Sequence, residues 1–228
     1  MWSDKYTYLV LMIGSIIFPF IFSFEKQIRF YRFYKALGLA ILISGTVFIV
    51  WDVLFTKLGF WSFNDNFILG QRLLGLPIEE WMFFIVIPYC SIFIYEVLKL
   101  YLPDINFNSL ITKFILLLVV LFSLFAILNI GKWYTFINMA ANVILLLFIL
   151  SNKNFRQHLT HFFLAFIIAC VPMLLVNGVL TAMPVVEYNA MHFSNILLFS
   201  IPIEDFSYFL LLMLLNVWVF EKIKYSKL

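Results

Sequence analysis

Two short stretches carry adjacent carboxylates into strongly apolar surroundings: residues 76–84 read LPIEEWMFF and residues 201–209 read IPIEDFSYF. In each, a proline is followed one residue later by a pair of acids, Glu79 and Glu80 in the first and Glu204 and Asp205 in the second. Proline suits the first turn of a helix and carboxylates favour its positive end, so one such motif alone reads as an ordinary helix start. Two copies, running at once into WMFFIVIP and FSYFLLLM, put all four acids at the edge of a hydrocarbon layer, where ionisable groups are costly and mark function. Adjacent helical residues point about 100° apart, so each pair offers one acid inward. Glu79 and Glu204, identical in both copies, are assigned the inward position, with Phe83 and Tyr208 one turn along on the same face. Glu80 and Asp205 are assigned to their support or to the rim. Four carboxylates gathered in one dry site repel each other, so at least one is expected to stay a neutral acid near pH 7, able to donate a proton.

The acids belong to a longer repeat. A shift of 125 residues (202 − 77 = 125) brings Thr56 onto Thr181, Asn64 onto Asn189, Pro77 onto Pro202, Phe84 onto Phe209, Glu96 onto Glu221 and Lys99 onto Lys224 without a gap. Asn64 and Asn189 each stand 15 residues before their glutamate (79 − 64 = 204 − 189 = 15) and are expected to orient the acids through side-chain hydrogen bonds. The plainer alternative is a turn-forming Asn at a helix end. Asp52 and Asn177 also coincide, at the expected ends of two helices, where they complete the polar cluster. Arg72 either pairs with Asp65 or a carboxylate of the site, or reaches for lipid headgroups. His158, His161 and His192 have no metal-ligand spacing, and Cys90 and Cys170 read as two buried thiols.

What positions these residues is a set of membrane helices. Of the 228 residues, 64% are hydrophobic and 12% charged, far from the mixture of a water-soluble domain. Apolar runs long enough to cross a bilayer recur at 6–24, 35–52, 79–100, 109–129, 132–150, 159–177 and 204–221. No alternating barrel pattern is present, so the fold class is an all-α membrane protein of seven transmembrane helices. The first run follows MWSDK without a basic leader or cleavage site and is expected to be retained. The shift of 125 maps spans one to three onto five to seven, giving a first three-helix repeat (1–104), a linker helix (105–130) and a second repeat (131–228). A unit of three spans begins and ends on opposite sides of the bilayer; the extra crossing restores the second copy to the orientation of the first. The two halves are therefore expected to be parallel repeats with a shared site where they meet.

Eleven of the 15 basic residues (Lys26, Arg29, Arg32, Lys35, Lys99, Lys113, Lys153, Arg156, Lys222, Lys224 and Lys227) fall on one side of this arrangement, and four (Lys5, Lys57, Arg72 and Lys132) on the other. The positive-inside bias puts the first side in the cytoplasm, hence the N-terminus outside and the C-terminus cytoplasmic, with a bacterial inner membrane as the expected location. The basic aromatic run RFYRFYK at 29–35 reads as a headgroup anchor, and no nucleic-acid partner is expected.

Around the first acid pair cluster Trp51, Phe60, Trp61, Phe63, Trp81, Phe83 and Phe84. Ring faces attract cations, so acids among aromatics suit a reaction that protonates an alkene and shelters the carbocation formed. The stretches WDVLFTKLGFWSFN (51–64), ILG (68–70), LPIEEWMFF (76–84), IFIYE (92–96), VNGVLTAM (176–183), YN (188–189) and IPIEDFSYFL (201–210) resemble the flavin-independent carotenoid cyclases. This is the membrane lycopene cyclase family, whose members are two homologous units, either separate or fused. Two departures are Asp205, where a second Glu is expected, and a second loop without counterparts to Asp65 and Arg72. The resemblance implies that the ψ end groups of lycopene, or of a related linear carotenoid, are converted to β rings by proton addition, ring closure and proton loss. It also implies no cofactor and no metal, and the sequence has no Gly-x-Gly-x-x-Gly for a dinucleotide. Glu79 and Glu204 are the implied acid/base pair, Glu80 and Asp205 tune them, and Asn64, Asn189, Asp52, Asn177, Trp81, Phe83 and Tyr208 support the site or line it. Membrane lipid surrounds the protein, and a homo-oligomer is compatible with the reading.

Three other readings stand beside this one. A carotenoid hydratase would let water capture the same cation. A proton-coupled transporter would also suit parallel repeats bearing membrane carboxylates. A prenyl transferase needs Asp-rich motifs for magnesium and diphosphate, and neither DxxxD nor DDxxD occurs.

Overall fold

The computed structural model describes residues 4–224, so Lys227 lies outside the described residues. Among them are seven helices long and apolar enough to cross a membrane. They are α1 (Thr7–Phe22), α2 (Tyr34–Lys57), α3 (Ile78–Tyr101), α4 (Asn108–Leu128), α5 (Trp133–Ser151), α6 (Leu159–Ala182) and α7 (Ile203–Lys224). The expected spans are recovered, with one informative difference. Helices α2 and α6 run five residues past their expected ends (57 − 52 = 182 − 177 = 5), so Asp52 and Asn177 lie inside helices and not at their termini. A polar residue ends an apolar run in sequence without ending the helix when its side chain turns into the interior and finds polar partners there.

The connections carry short strands that the all-α pattern does not announce: β1 (Trp61–Phe63), β2 (Arg72–Leu73), β3 (Leu76–Pro77), β4 (Val186–Tyr188), β5 (Leu197–Leu198) and β6 (Ile201–Pro202). Strands β2 and β3 form a hairpin leading directly into α3, and β5 and β6 form its counterpart before α7. In the first hairpin the turn residues Leu74 and Gly75 both have positive φ (56° and 93°), the conformation a two-residue turn needs to match strand twist. Arg72 fastens this hairpin, donating to Asp65 at 2.7 Å and to the Gly75 carbonyl at 3.1 Å, so it serves the loop and not the site acids.

Strands β1 and β4 join the two repeats. They pair antiparallel, with Trp61 opposite Tyr188 and Phe63 opposite Val186. Subtracting 125 turns Tyr188 into the equivalent of Phe63 and Val186 into that of Trp61, so each pairing is the exchanged image of the other. Such reciprocity is the signature of a two-fold axis. The same exchange relates Asn64 N–H to the Val185 carbonyl (3.0 Å) and Asn189 N–H to the Phe60 carbonyl (2.9 Å). At the far end of the bundle it relates Lys99 to Glu221 (2.6 Å) and Lys224 to Glu96 (2.5 Å). Buried charges are costly in a bilayer unless paired or amply hydrogen-bonded, so these crossed pairs latch the repeats together.

Helix α7 is the most enclosed, with 72% of its spanning window buried, whereas α4 has 11% and lies at the periphery. Helices α3 and α7 form the centre; α1 and α6 lie on one side of them, α5 and α2 on the other. Between apolar helices in lipid, small residues and cross-helix hydrogen bonds supply the grip. Ser44 of α2 donates to Asn216 of α7 at 2.5 Å, and Gly45 sits against the Phe84 carbonyl.

Candidate active site

A cavity of about 450 Å³ lies between α1, α3, α6 and α7. Its wall follows α3 from Glu80 to Ile94, 14 residues on, or about 21 Å at 1.5 Å per residue. Most of the wall is apolar. The carboxyl-bearing side chains gather at one end, where Asp52 of α2, Glu80 of α3 and Asp205 of α7 meet. All three are buried.

The hairpins explain why the second acid of each pair faces inward. Each hairpin turns the chain back over the start of its helix, and the first acid clasps that returning loop. Leu69 N–H donates to Glu79 at 2.7 Å and Ser194 N–H donates to Glu204 at 2.7 Å, equivalent positions in the two copies (69 + 125 = 194). Thr135 adds its hydroxyl to Glu204. Glu79 and Glu204 are fully buried and absent from the cavity wall. The inward position assigned to them belongs instead to Glu80 and Asp205, one residue and about 100° around each helix.

The inward acids have unequal surroundings. Tyr8 donates to Glu80 at 2.5 Å. Asp205 accepts from Tyr134 at 2.7 Å on one oxygen, and from Asn177 at 2.7 Å and Tyr188 at 2.8 Å on the other. Asp52 accepts from the Trp61 indole at 2.6 Å, and its second oxygen has no hydrogen-bond partner among the described residues. Burial, followed by the Asp205 carboxylate beside it, holds the Tyr188 phenol well above its ordinary pKa, so it remains a donor at neutral pH. Aromatic rings close this end of the cavity: Trp61 packs edge-on against Tyr134 at 5.2 Å, and Tyr134 stacks on Tyr188 at 6.1 Å.

This polar end is built from both repeats, and the repeats are also what comparison with known proteins picks out. The chain matches the lycopene cyclase family over residues 5–98 and again over 131–223. It belongs to the lycopene cyclase family. The two matched blocks coincide with the two halves related by the axis, and α4 falls between them. Over 58 residues, 25% of this chain, it is 34% identical to the bifunctional lycopene cyclase/phytoene synthase of Neurospora crassa. That stretch spans 10% of the relative's length. No solved structure matches the chain.

Within this member of the lycopene cyclase family, several residues expected to cooperate do meet: Asp52, Asn177, Glu80, Asp205, Phe83 and Tyr208 all line the cavity. Others do not. The Asn64 amide donates to Glu187 at 3.2 Å and the Asn189 amide to the Gly59 carbonyl at 2.9 Å; neither touches a site acid. Their oxygens instead cap the backbone two residues on, at Asn66 and Met191, both at 3.0 Å, which is the turn role. Trp81 donates to the Leu73 carbonyl at 3.2 Å and braces the hairpin outside the cavity. His158 packs beside Tyr95 and Glu221 at the crossed ion pairs.

Tyr8 and Tyr134 were not foreseen, for a definite reason. They are equivalent, since Tyr8 N–H bonds the Phe67 carbonyl and Tyr134 N–H bonds that of His192, its counterpart (67 + 125 = 192). Yet they are 126 residues apart (134 − 8 = 126), so a gapless shift of 125 sets Tyr8 against Trp133. Allowing one inserted residue between the first and third helices of a unit would have exposed the pair.

Proposed function

We propose that this protein cyclises the open end group of lycopene, or of a related linear carotenoid, by adding a proton to the terminal alkene and removing another after ring closure. The observation that carries the reading is the convergence of Asp52, Glu80 and Asp205, from both repeats, at one end of a long, otherwise apolar cavity. Family membership supports it.

The hydrogen-bond pattern divides the labour. Three donors aimed at Asp205 suit an ionised carboxylate, which only accepts. Asp52 and Glu80 together have more acceptor sites than donors around them, a surplus removed when the pair holds a proton. In the proposed sequence that proton passes to the terminal alkene and leaves a tertiary cation. The next alkene of the same chain supplies its electron pair to this carbon, closing the ring and moving the charge onto a ring carbon. Loss of a neighbouring C–H proton to Asp205 restores a double bond, and proton transfer between the acids resets the site. One proton enters and one leaves, so the product is an isomer of the substrate. Phe83, Trp61 and Tyr208 line the cavity, where the faces of their rings would attract the passing cation. Apolar walls beyond the acids favour capture by the substrate's own alkene over capture by water, which a hydratase would need.

For the membrane we propose the orientation of the basic residues as the guide: N-terminus outside, C-terminus in the cytoplasm of a bacterial cell, with the acids toward the outer face. The test of activity is expression in a lycopene-accumulating bacterium with pigment analysis. The parent chain should yield cyclic carotenoid, Glu80→Gln should leave lycopene, and Glu79→Gln should keep most of the conversion because an amide oxygen still accepts the Leu69 N–H. A well-expressed parent that leaves lycopene untouched rejects the proposal.

A further inference from the structure

We infer that the seam between α1 and α6 is the portal through which a polyene end group passes from the bilayer to the acids, and that Gly14 keeps it open. The inference rests on the cyclase reading for the identity of its ligand. Gly14 and Phe18 of α1 and Pro172 of α6 line the cavity and are at the same time exposed; Phe18 is 64% exposed. Residues with both properties mark an opening. The two helices touch sparsely. Each also carries a proline at the cavity, Pro19 and Pro172, which removes a ladder hydrogen bond and bends the helix. The Ser15 carbonyl, four residues before Pro19 and so freed by it, accepts instead from the Cys90 thiol on the cavity wall at 3.4 Å.

Gly14 has no packing explanation. A Cβ built there meets nothing within 4 Å, and no close backbone approach requires glycine. Glycine inside a helix is less favourable than alanine, because it gives up more backbone freedom and packs no side chain. Gly38 in α2 is equally unencumbered and exposed, but does not line the cavity, which makes it the natural control.

The two-fold counterpart of this seam is shut. Met173 and Val176 line the cavity on α6; their equivalents on α2 are Phe48 and Trp51 (173 − 125 = 48; 176 − 125 = 51). Phe48 is 1% exposed, stacks on Trp51 at 6.1 Å and meets Tyr208 edge-on at 5.2 Å. These rings occupy the volume that a second chamber would need. The acids near the axis are therefore reached from one side, by one end group at a time, and a second ring on the same polyene requires release and return of the other end.

The test compares Gly14→Phe with Gly38→Phe in lycopene-accumulating cells, measuring the rate of cyclic product at matched protein levels. The same substitutions in a Glu80→Gln background are scored for lycopene that co-purifies. Gly14→Phe should slow conversion about tenfold or more, as expected when passage becomes limiting, and should lose the bound polyene; Gly38→Phe should match the parent in both assays. Where Gly14→Phe accumulates poorly, Met173→Trp narrows the same mouth from α6 and should behave alike. Parent-like rates in both narrowing variants, or equal losses in Gly38→Phe, would overturn the portal. An inactive parent would instead strike the cyclase reading itself.

Discussion

The two copies of the three-helix unit present different polar sets to the same cavity. In the first, Glu80 has a single hydroxyl donor, Tyr8, and a second acid, Asp52, whose outer oxygen is bare. In the second, the position of Asp52 is taken by Asn177, which donates to Asp205 alongside Tyr134 and Tyr188. One copy is short of donors and the other amply supplied. An acid-base reaction needs both kinds of site, a group that begins with a proton and one that begins without, and two identical copies would offer the same kind twice. The exchange of Asp for Asn at one repeated position, with a tyrosine (Tyr188) where the first copy has a phenylalanine (Phe63), is enough to separate them.

The comparison is broken most severely by removing either inward acid. Glu80→Gln and Asp205→Asn should each lower the rate of cyclic product by about 10²–10⁴-fold, the usual span for a general acid or base. Equal activity in either variant would detach that acid from the chemistry. A finer probe exploits the donors. A hydrogen bond to a charged group contributes about 1.5–3 kcal/mol and one to a neutral group about 0.5–1.5 kcal/mol. Tyr134→Phe should therefore reduce the rate roughly 10- to 100-fold and Tyr8→Phe roughly 2- to 10-fold, at about 1.4 kcal/mol per factor of ten. The reverse order would invert the assignment of proton donor and acceptor. The smallest chemical effect belongs to the outer acids: Glu79→Ala and Glu204→Ala should mainly destabilise the hairpins by about 1–3 kcal/mol, seen as a lower thermal midpoint in detergent, with the rate per folded molecule nearly preserved.

Much of this architecture was legible in the sequence because membrane helices and a gapless repeat leave strong marks. The seven spans followed from the apolar runs, the pairing of the halves and the approach of Asp52 and Asn177 from the shift of 125, and the placing of Phe83 and Tyr208 from helical spacing. The choice between Glu79 and Glu80 did not, because identity between copies marks a shared constraint without saying whether it is chemical or structural. Here the residue kept in both, Glu79 and Glu204, satisfies the constraint common to both, a loop amide that must be bonded. In the proposed mechanism the inward position differs between copies because its two duties differ. The turns of Asn64 and Asn189 were legible in residue type but not in partner, since β1 and β4 bring together segments more than 120 residues apart. The open and shut seams depend on how Met173 and Val176 or Phe48 and Trp51 fill space between helices, which no spacing along the chain reveals.

The division of labour is tested most directly by infrared difference spectroscopy of the purified protein in lipid, following the carbonyl band of a protonated carboxyl and its shift in heavy water. A band that disappears or moves in Glu80→Gln and Asp52→Asn and persists in Asp205→Asn is the predicted result. A band that vanishes with Asp205→Asn and is indifferent to the other two would contradict it.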